Sequence, residues 1–280
     1  MTKGHKKRRH PALSASRAKD YMQCPLKFRY FVVDALPQPP STPAIKGTVV
    51  HDALERLFDL PPAERTPEVA ISLLPQAWET TLKKQPEAKE LFVNEQDWVE
   101  AQSDCEALVE GYFRVERPQN LRPRGREEFV DARLDSGVLL RGIIDRLDEA
   151  PDGALRVVDY KTGKAPSQRF INDALFQMKF YALLLRQTRR LPTRLQLLYL
   201  RSARVLTLDP DPREIEAFEQ EVDSLWARIK ADAESADFQP RKSPLCPWCP
   251  FQSLCPQFGG RQPAVPAEGI ERLLSIQHSA

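Results

Sequence analysis

Apolar residues recur at helical intervals in the first part of the chain. After Ser14, a residue that often caps helices, they predict two short helices that break near Cys24 and Pro25. A proline-rich connector follows, and GTVVHDALERLFDL, residues 47–60, has the spacing of another helix. Residues 62–118 also read as mostly helical, with apolar positions scattered among charges. The first 120 residues are therefore predicted to be mainly helical.

The pattern changes after residue 125 to alternating or short apolar runs, which are typical of strands. Three such segments are separated by DSG and PDG turns, and then a helix, a further strand and a long amphipathic helix follow. This order predicts an α/β domain in which helices flank a small mixed β-sheet. The predicted strands are 127–134, 138–150, 155–163 and 194–202, and the later helices are 172–188 and 214–235.

Composition suits an ordinary globular protein, because 41% of the residues are hydrophobic and the formal net charge is +2. The chain contains no apolar run of the roughly 20 residues that cross a bilayer, and its beginning lacks the apolar core of a secretory signal. We therefore expect a cytoplasmic protein without a membrane partner. Residues 3–10, KGHKKRRH, form a basic arm that either lies along phosphates or is a solvated, flexible tail.

Two neighbouring strand segments each carry an acidic residue at or near the C-terminal end of an apolar stretch, Asp145 in GIIDR and Asp159 in VVDYK. Lys161 lies two residues after Asp159, so both side chains project to the same face of a strand. A pair of carboxylates suits Mg²⁺, and a lysine beside them can stabilise the charge of a phosphoryl-transfer transition state. The alternative is structural, because acidic residues at strand ends often cap turns and a nearby lysine forms a surface ion pair.

Several motifs surround these residues in the order CPLKF, GTVVH, GIID, VVDYK, QMKFY and CPWCPFQSLC. This order resembles the RecB-type exonuclease branch of the PD-(D/E)XK nuclease superfamily. It is most similar to the iron–sulfur-containing members, which include CRISPR-associated exonucleases of this type and AddB-type nuclease domains. The resemblance extends from about Ser14 to about Phe258. It implies a restriction-endonuclease-like core whose N- and C-terminal segments are joined by a metal cluster.

On this resemblance, residues 14–259 form a single nuclease domain between a basic flexible arm, residues 1–13, and a tail, residues 260–280, with one possible short helix at EGIERLLSIQ. Within the domain, the resemblance implies three parts. They are a helical region at 52–120, a catalytic α/β core at 125–208, and a C-terminal helix with the cysteine segment at 213–258.

The resemblance implies that His51, Asp145 and Asp159 are metal ligands and that the carbonyl of Tyr160 completes the metal shell. Carboxylates suit Mg²⁺, whereas an imidazole among the ligands suits Mn²⁺ better. We therefore expect Mg²⁺ or Mn²⁺ at the active site. Taken alone, His51 would more simply be a structural histidine within a helix.

Three further residues take roles from the resemblance. Lys161 matches the catalytic lysine, while Gln177 and Tyr181 lie four residues apart on a predicted helix and would face the site together. Members of the family also carry a glutamate in the strand before GIID. Either Glu127 or Glu128 fits that position, and the sequence does not distinguish them.

Three cysteines, Cys246, Cys249 and Cys255, crowd into ten residues near the end of the chain. In a reducing compartment such spacing is typical of metal ligands. The resemblance implies that Cys24 is the fourth ligand and that the four thiolates bind a 4Fe-4S cluster. Structural Zn²⁺ is the alternative, since tetrahedral four-cysteine sites hold either metal. Cys105 is left over and is expected to be a buried or idle thiol.

The resemblance implies a metal-dependent DNA exonuclease that hydrolyses phosphodiester bonds at the free ends of single-stranded DNA, in repair, recombination or a related pathway. The chain shows no helicase-like motif, so a helicase or another DNA-processing partner would supply strands that are not already exposed. The alternative is a catalytically silent DNA-end-binding or scaffold module. Loss of Asp145, Asp159 or Lys161 would favour that alternative, and all three are present.

Some aromatic residues could stack on nucleic acid bases, although aromatic residues at such positions more often belong to the core. These residues are Phe170, Tyr181, Trp226 and Trp248.

Overall fold

The computed structural model describes residues 11–167 and 171–278, so the basic arm at 3–10 and Phe170 lie outside the described residues. None of the described helices is both long and apolar enough to cross a membrane. The helices are α1 (Ala15–Gln23), α2 (Pro25–Val32), α3 (Thr42–Leu57), α4 (Pro67–Ser72), α5 (Leu74–Lys84), α6 (Glu95–Val115), α7 (Ile171–Thr188), α8 (Pro212–Glu234) and α9 (Ala267–His278). The strands are β1 (Pro123–Arg133), β2 (Leu139–Glu149), β3 (Leu155–Lys161), β4 (Arg194–Tyr199) and β5 (Arg204–Leu208).

The chain divides into two compact units. The larger unit comprises residues 39–130 and 143–212. The smaller unit comprises the described residues of 1–38, 131–142 and 213–280. Strands β1 and β2 each contribute residues to both units.

Within the described part of the chain, the strands form one mixed sheet in the order β1-β2-β3-β4-β5. Strand β3 pairs antiparallel with β2 and parallel with β4, and β4 pairs antiparallel with β5. Helix α7 makes the long connection that a parallel β3–β4 pair requires. Because β3 is the central strand, five of its seven residues are buried, and its apolar run Val157–Val158 enters the core. The α/β prediction with a mixed sheet flanked by helices is confirmed.

The core of the larger unit joins the sheet to the helices of residues 42–115. Helix α3 buries Val49, Val50, Ala53 and Leu54 in one cluster with residues from α5, α6, β3 and β4. A Cβ atom built at Gly47 would lie 3.4 Å from Thr162 Oγ1, so the first half of α3 passes close to the chain just after β3. This packing fixes the helix that carries the GTVVH motif against the end of the central strand.

The sequence prediction for β4 was wrong at its end. A strand was expected over 194–202, but β4 ends at Tyr199, and a short 3₁₀ turn and Ala203, in the left-handed region with φ 48°, lead into β5. Strand β5 itself was not predicted. It is an edge strand whose Arg204 and Val205 are exposed, so it lacks the apolar alternation that marks a half-buried strand.

In the smaller unit, α1 and α2 break at Cys24 as predicted, and the extended backbone of Cys24 caps both helices. Leu26, Tyr30 and Phe31 of α2 pack against Phe251, and the Tyr30 hydroxyl donates a hydrogen bond to the carbonyl of Leu254. Helix α2 is thereby packed against the cysteine segment. Residues 267–278 form helix α9, which buries Leu273 and Ile276.

A fully buried arginine lies in the larger unit behind the sheet residues that carry the acidic motifs. The Arg146 guanidinium donates hydrogen bonds of 2.8 Å to both oxygens of Glu116 and one of 2.8 Å to the Tyr160 hydroxyl, and it also contacts Asp148. Its side chain is 1% exposed and that of Glu116 is 8% exposed. A charge buried this deeply is tolerated because its partners satisfy it, so removing one partner leaves the other uncompensated.

We predict that Arg146→Met lowers the free energy of unfolding by about 3–5 kcal/mol, because the buried Glu116 loses both hydrogen bonds from Arg146 and keeps only the longer, 3.3 Å contact with Arg156. The matched control is Arg194→Met, which breaks an ion pair with Asp209 whose side chains are 50% and 56% exposed and should cost less than about 1 kcal/mol. Urea denaturation of both variants measures the difference. Equal losses in the two variants would contradict the role given to Arg146.

Candidate active site

The register of β2 and β3 brings two carboxylates side by side. Arg146 pairs with Val158, and the next residues along the two strands are Asp145 and Asp159. The backbone N–H of Tyr160 donates a 2.7 Å hydrogen bond to Asp145 Oδ2, which fixes that carboxylate against β3. The two acidic residues singled out in the sequence therefore lie side by side on neighbouring strands.

His51 approaches the same place from α3. Its Nε2 lies 3.0 Å from the carbonyl oxygen of Tyr160, and because a carbonyl only accepts, Nε2 carries the hydrogen. The other nitrogen, Nδ1, lies 3.5 Å from Asp145 Oδ2 and 4.0 Å from Glu127 Oε1. Nδ1 and two carboxylate oxygens thus face one another, an arrangement that calls for a cation or a proton between them.

The structure distinguishes the two candidate glutamates. Glu127 faces His51, whereas Glu128 forms an ion pair with Arg189. Glu127 has φ 44°, a left-handed conformation that is uncommon for a residue other than glycine. Arg126 on one side binds the Glu55 carbonyl and the Asp59 carboxylate, so contacts on both sides hold the strained residue in place.

The donor set fits a divalent cation. In the described part of the chain, the three side chains whose ligand atoms all lie within 4.8 Å of one another are His51, Glu127 and Asp145. One imidazole nitrogen with carboxylate oxygens suits Mn²⁺, and the carboxylates suit Mg²⁺. The residues present therefore fit either of these two ions. The individual roles of these ligands stay predictions.

The crowded carboxylates resist ionisation. Partial desolvation and the neighbouring Asp145 charge raise the pKa of Glu127 to about 7, while His51 opposes the rise. Burial and the Asp159 charge hold the pKa of Asp145 well above its usual range, against the hydrogen bond from Tyr160. A cation bound at this place would relieve the repulsion among them.

Lys161 and α7 hold the third carboxylate. Lys161 Nζ lies 2.6 Å from Asp159 Oδ1 as an ion pair, since no described donor reaches this oxygen with good hydrogen-bond geometry. Gln177 Nε2 and the Tyr181 hydroxyl donate to the other oxygen, Oδ2, at 2.8 and 3.3 Å. Gln177 and Tyr181 thus face the site as expected, and their contact there is with Asp159.

Two residues near the site were missed by sequence reasoning. Arg146 binds the Tyr160 hydroxyl from behind the sheet, and the signal for it was a charged residue inside the apolar run GIIDRLDEA. Tyr199 is the partner of Lys161 on β4, where burial and then the Asp159 charge raise its pKa. The sequence prediction that ended the strand at 202 concealed this terminal position.

The four expected cluster ligands lie together in the smaller unit. Cys24, Cys246, Cys249 and Cys255 line one cavity of about 40 Å³. Among the described residues, no three of these sulfur atoms come within 4.8 Å of one another. Cys105 is elsewhere, fully buried in the core of α6, where desolvation raises the pKa of its thiol to about 12.

Backbone amides point at the cysteine sulfurs. The N–H groups of Arg241 and Ser243 donate to Cys24 Sγ and Cys246 Sγ, each at 3.3 Å. Burial raises the pKa of the Cys249 thiol, and a hydrogen bond from the Phe251 backbone opposes that rise.

Two comparisons relate the chain to known proteins. A stretch of 67 residues is 40% identical to part of a protein of Streptococcus mutans serotype c that forms one subunit of an ATP-dependent helicase/deoxyribonuclease. The matched stretch is 23% of this chain and only 6% of that protein. Residues 12–256 match the PD-(D/E)XK nuclease superfamily, and this range contains all the predicted ligands and catalytic residues. The chain therefore belongs to the PD-(D/E)XK nuclease superfamily.

Proposed function

We propose that the chain is a divalent-metal-dependent deoxyribonuclease that removes nucleotides from the free ends of single-stranded DNA. The observation that carries this proposal is the meeting of His51 Nδ1, Glu127 and Asp145 within 4.8 Å, beside the Asp159–Lys161 pair. An arrangement of metal ligands next to a lysine suits hydrolysis of a phosphodiester better than simple strand binding.

In this proposal His51, Glu127, Asp145 and Asp159 hold Mg²⁺ or Mn²⁺. The ion, when bound, would polarise a phosphate oxygen and make water a better nucleophile. The carbonyl of Tyr160 remains a proposed ligand, and in this structure it accepts a hydrogen bond from His51 Nε2. That bond fixes the ring so that Nδ1 points at the carboxylates. In the proposed site Tyr160 therefore orients a ligand through its backbone.

Lys161 supplies the positive charge for the reaction. Its side chain is 29% exposed, so Nζ can reach a phosphate while Asp159 holds it in place. There it would stabilise the negative charge that develops on the phosphate in the transition state. Gln177 and Tyr181 position Asp159 by their hydrogen bonds, so they act through that carboxylate and need not touch the substrate.

The substrate and partner are proposed from the superfamily and the relative. The name of the streptococcal protein joins helicase and deoxyribonuclease. By analogy, we propose that this chain digests DNA ends in repair, recombination or a related process, on strands that are already open or that a helicase partner separates.

We further propose that Cys24, Cys246, Cys249 and Cys255 hold a structural 4Fe-4S cluster. The family resemblance favours such a cluster, in which each thiolate binds a different iron, over structural zinc, which the same four thiolates could also hold. Lys27, Arg241 and Lys242 line the same cavity and would offset the negative charge of the cluster and its thiolates.

We predict that Lys161→Ala lowers the turnover of single-stranded DNA by about 100- to 1,000-fold, as loss of a transition-state donor does. End-labelled strands and protein purified without oxygen are incubated with Mg²⁺, Mn²⁺ or EDTA. The matched control is Lys83→Ala, whose side chain is 73% exposed and pairs with Glu79 on α5, and it should cut like the native chain. Binding without cutting by the native chain would instead support the silent end-binding module.

A second prediction separates the two glutamates. Glu127→Gln should weaken Mn²⁺ binding by at least about tenfold, because it removes a charged donor from the site. Glu128→Gln, its neighbour, breaks only the ion pair with Arg189 and should leave Mn²⁺ affinity nearly unchanged. Titration followed by electron paramagnetic resonance of free Mn²⁺ measures both. The reverse order of effects would assign the site to Glu128.

A third prediction concerns the cysteines. The native chain should contain about four iron atoms, and Cys24→Ala should lose them although Cys24 lies more than 200 residues from Cys246 along the chain. The matched control, Cys105→Ala, should keep its iron because Cys105 lies outside the cavity. Metal analysis of anaerobically purified protein checks this, and about one zinc without iron would contradict the cluster.

A further inference from the structure

An exposed aromatic surface adjoins the cysteine cavity in the smaller unit. Three of the seven large apolar side chains that are exposed in the described residues fall within residues 245–258. They are Leu245, 54% exposed, Trp248, 77% exposed, and Phe258, 44% exposed. Such a concentration of apolar side chains on a surface marks an interaction site.

Local structure sets Leu245 and Trp248 next to each other. Residues 246–248 form a 3₁₀ turn in which Trp248 N–H donates to the Leu245 carbonyl at 3.1 Å. Side chains three residues apart are eclipsed in such a turn, so the two project together. Leu245, Phe258 and Lys242 all line the cysteine cavity, and Lys242 Nζ lies 5.9 Å from the centre of the Phe258 ring.

Apart from the cysteines that are proposed to hold the cluster, the ionisable side chains of this segment are all basic. Residues 238–267 contain no aspartate or glutamate, and Arg241, Lys242 and Arg261 give the segment a formal charge of +3. All three basic residues are exposed. A positive surface with an exposed ring fits a polyanion that also offers flat apolar faces, which describes unpaired nucleic acid.

The other tryptophans are not available for stacking. Trp78 and Trp226 are buried, and the ring of Trp98 packs against that of Trp78 with centroids 4.8 Å apart. Tyr181, another aromatic considered for stacking, is buried as well. Among these described aromatic residues, Trp248 alone presents most of its ring to solvent.

We propose that the surface formed by Lys242, Leu245, Trp248 and Phe258 binds single-stranded DNA, with a base stacked on Trp248 and phosphate beside Lys242. This inference rests on the proposed function for the choice of DNA as the nucleic acid. A protein ring stacks most readily on an unpaired base, because bases inside a duplex are already stacked on their neighbours, so the surface favours single strands over duplex.

The test measures binding in EDTA, where no digestion occurs, by fluorescence anisotropy of a labelled oligothymidine. Trp248→Ala should weaken binding about tenfold and Trp248→Phe much less, since phenylalanine keeps a flat ring. Lys242→Gln should reduce the slope of log affinity against log salt by about 0.7, the value of one phosphate contact on a single strand.

Two control variants each remove one exposed side chain, one apolar and one basic, far from this surface in the sequence. Val93→Ser removes an apolar side chain that is 85% exposed on the larger unit, and Lys83→Gln removes an exposed lysine there. Neither should change affinity or salt slope. A blunt duplex of matched length should lose little affinity with Trp248→Ala. Metal content of each variant is compared with the native chain, and native tryptophan fluorescence should be quenched by the strand but largely unquenched in Trp248→Phe.

The outcomes separate this proposal from the nuclease proposal. Unchanged strand affinity in Trp248→Ala together with an unchanged salt slope in Lys242→Gln would overturn the surface, whatever the digestion assay shows. Equal losses for strand and duplex would also overturn it, because stacking would not be the cause. If Trp248→Ala loses affinity for single strands but not for duplex, and the native chain never cuts DNA, the binding surface would be supported and the nuclease activity refuted.

Discussion

The close approach of carboxylates on neighbouring strands is the constraint that the larger unit satisfies. Asp145 and Asp159 lie next to the paired residues of β2 and β3, and Glu127 joins them from β1. Like charges at such distances repel, and the raised pKa values of Glu127 and Asp145 express that cost. Lys161 offsets the charge of Asp159. His51 Nδ1 faces the other two carboxylates, and a cation bound among these three groups would offset their charge.

Tyr160 links the parts of this arrangement. Its N–H holds Asp145, its carbonyl orients His51, and its hydroxyl accepts a hydrogen bond from the buried Arg146. One residue of the central strand thus connects the buried Arg146 to both Asp145 and His51. Because Glu116 and Asp148 fix Arg146 in turn, the position of the ligands depends on a buried polar network.

The sequence was informative where chemistry and periodicity coincide. The strand runs that end in Asp145 and Asp159, and the four-residue spacing of Gln177 and Tyr181, predicted residues that do meet in space. The choice between Glu127 and Glu128 was not predictable, since a left-handed residue within a strand leaves no compositional signal. The edge strand β5 was missed for a related reason, because its exposed residues show no apolar alternation. Tertiary contacts decided both cases.

The account rests on the claim that His51 Nδ1, Glu127 and Asp145 hold a divalent cation. Anomalous diffraction from crystals of the full chain grown with Mn²⁺ tests it most directly. We expect a strong anomalous peak at about 2.1–2.2 Å from Asp145 and from Nδ1 of His51, with Glu127 in contact. Mn²⁺ bound elsewhere at saturating concentration, with these three side chains free of it, would contradict the account.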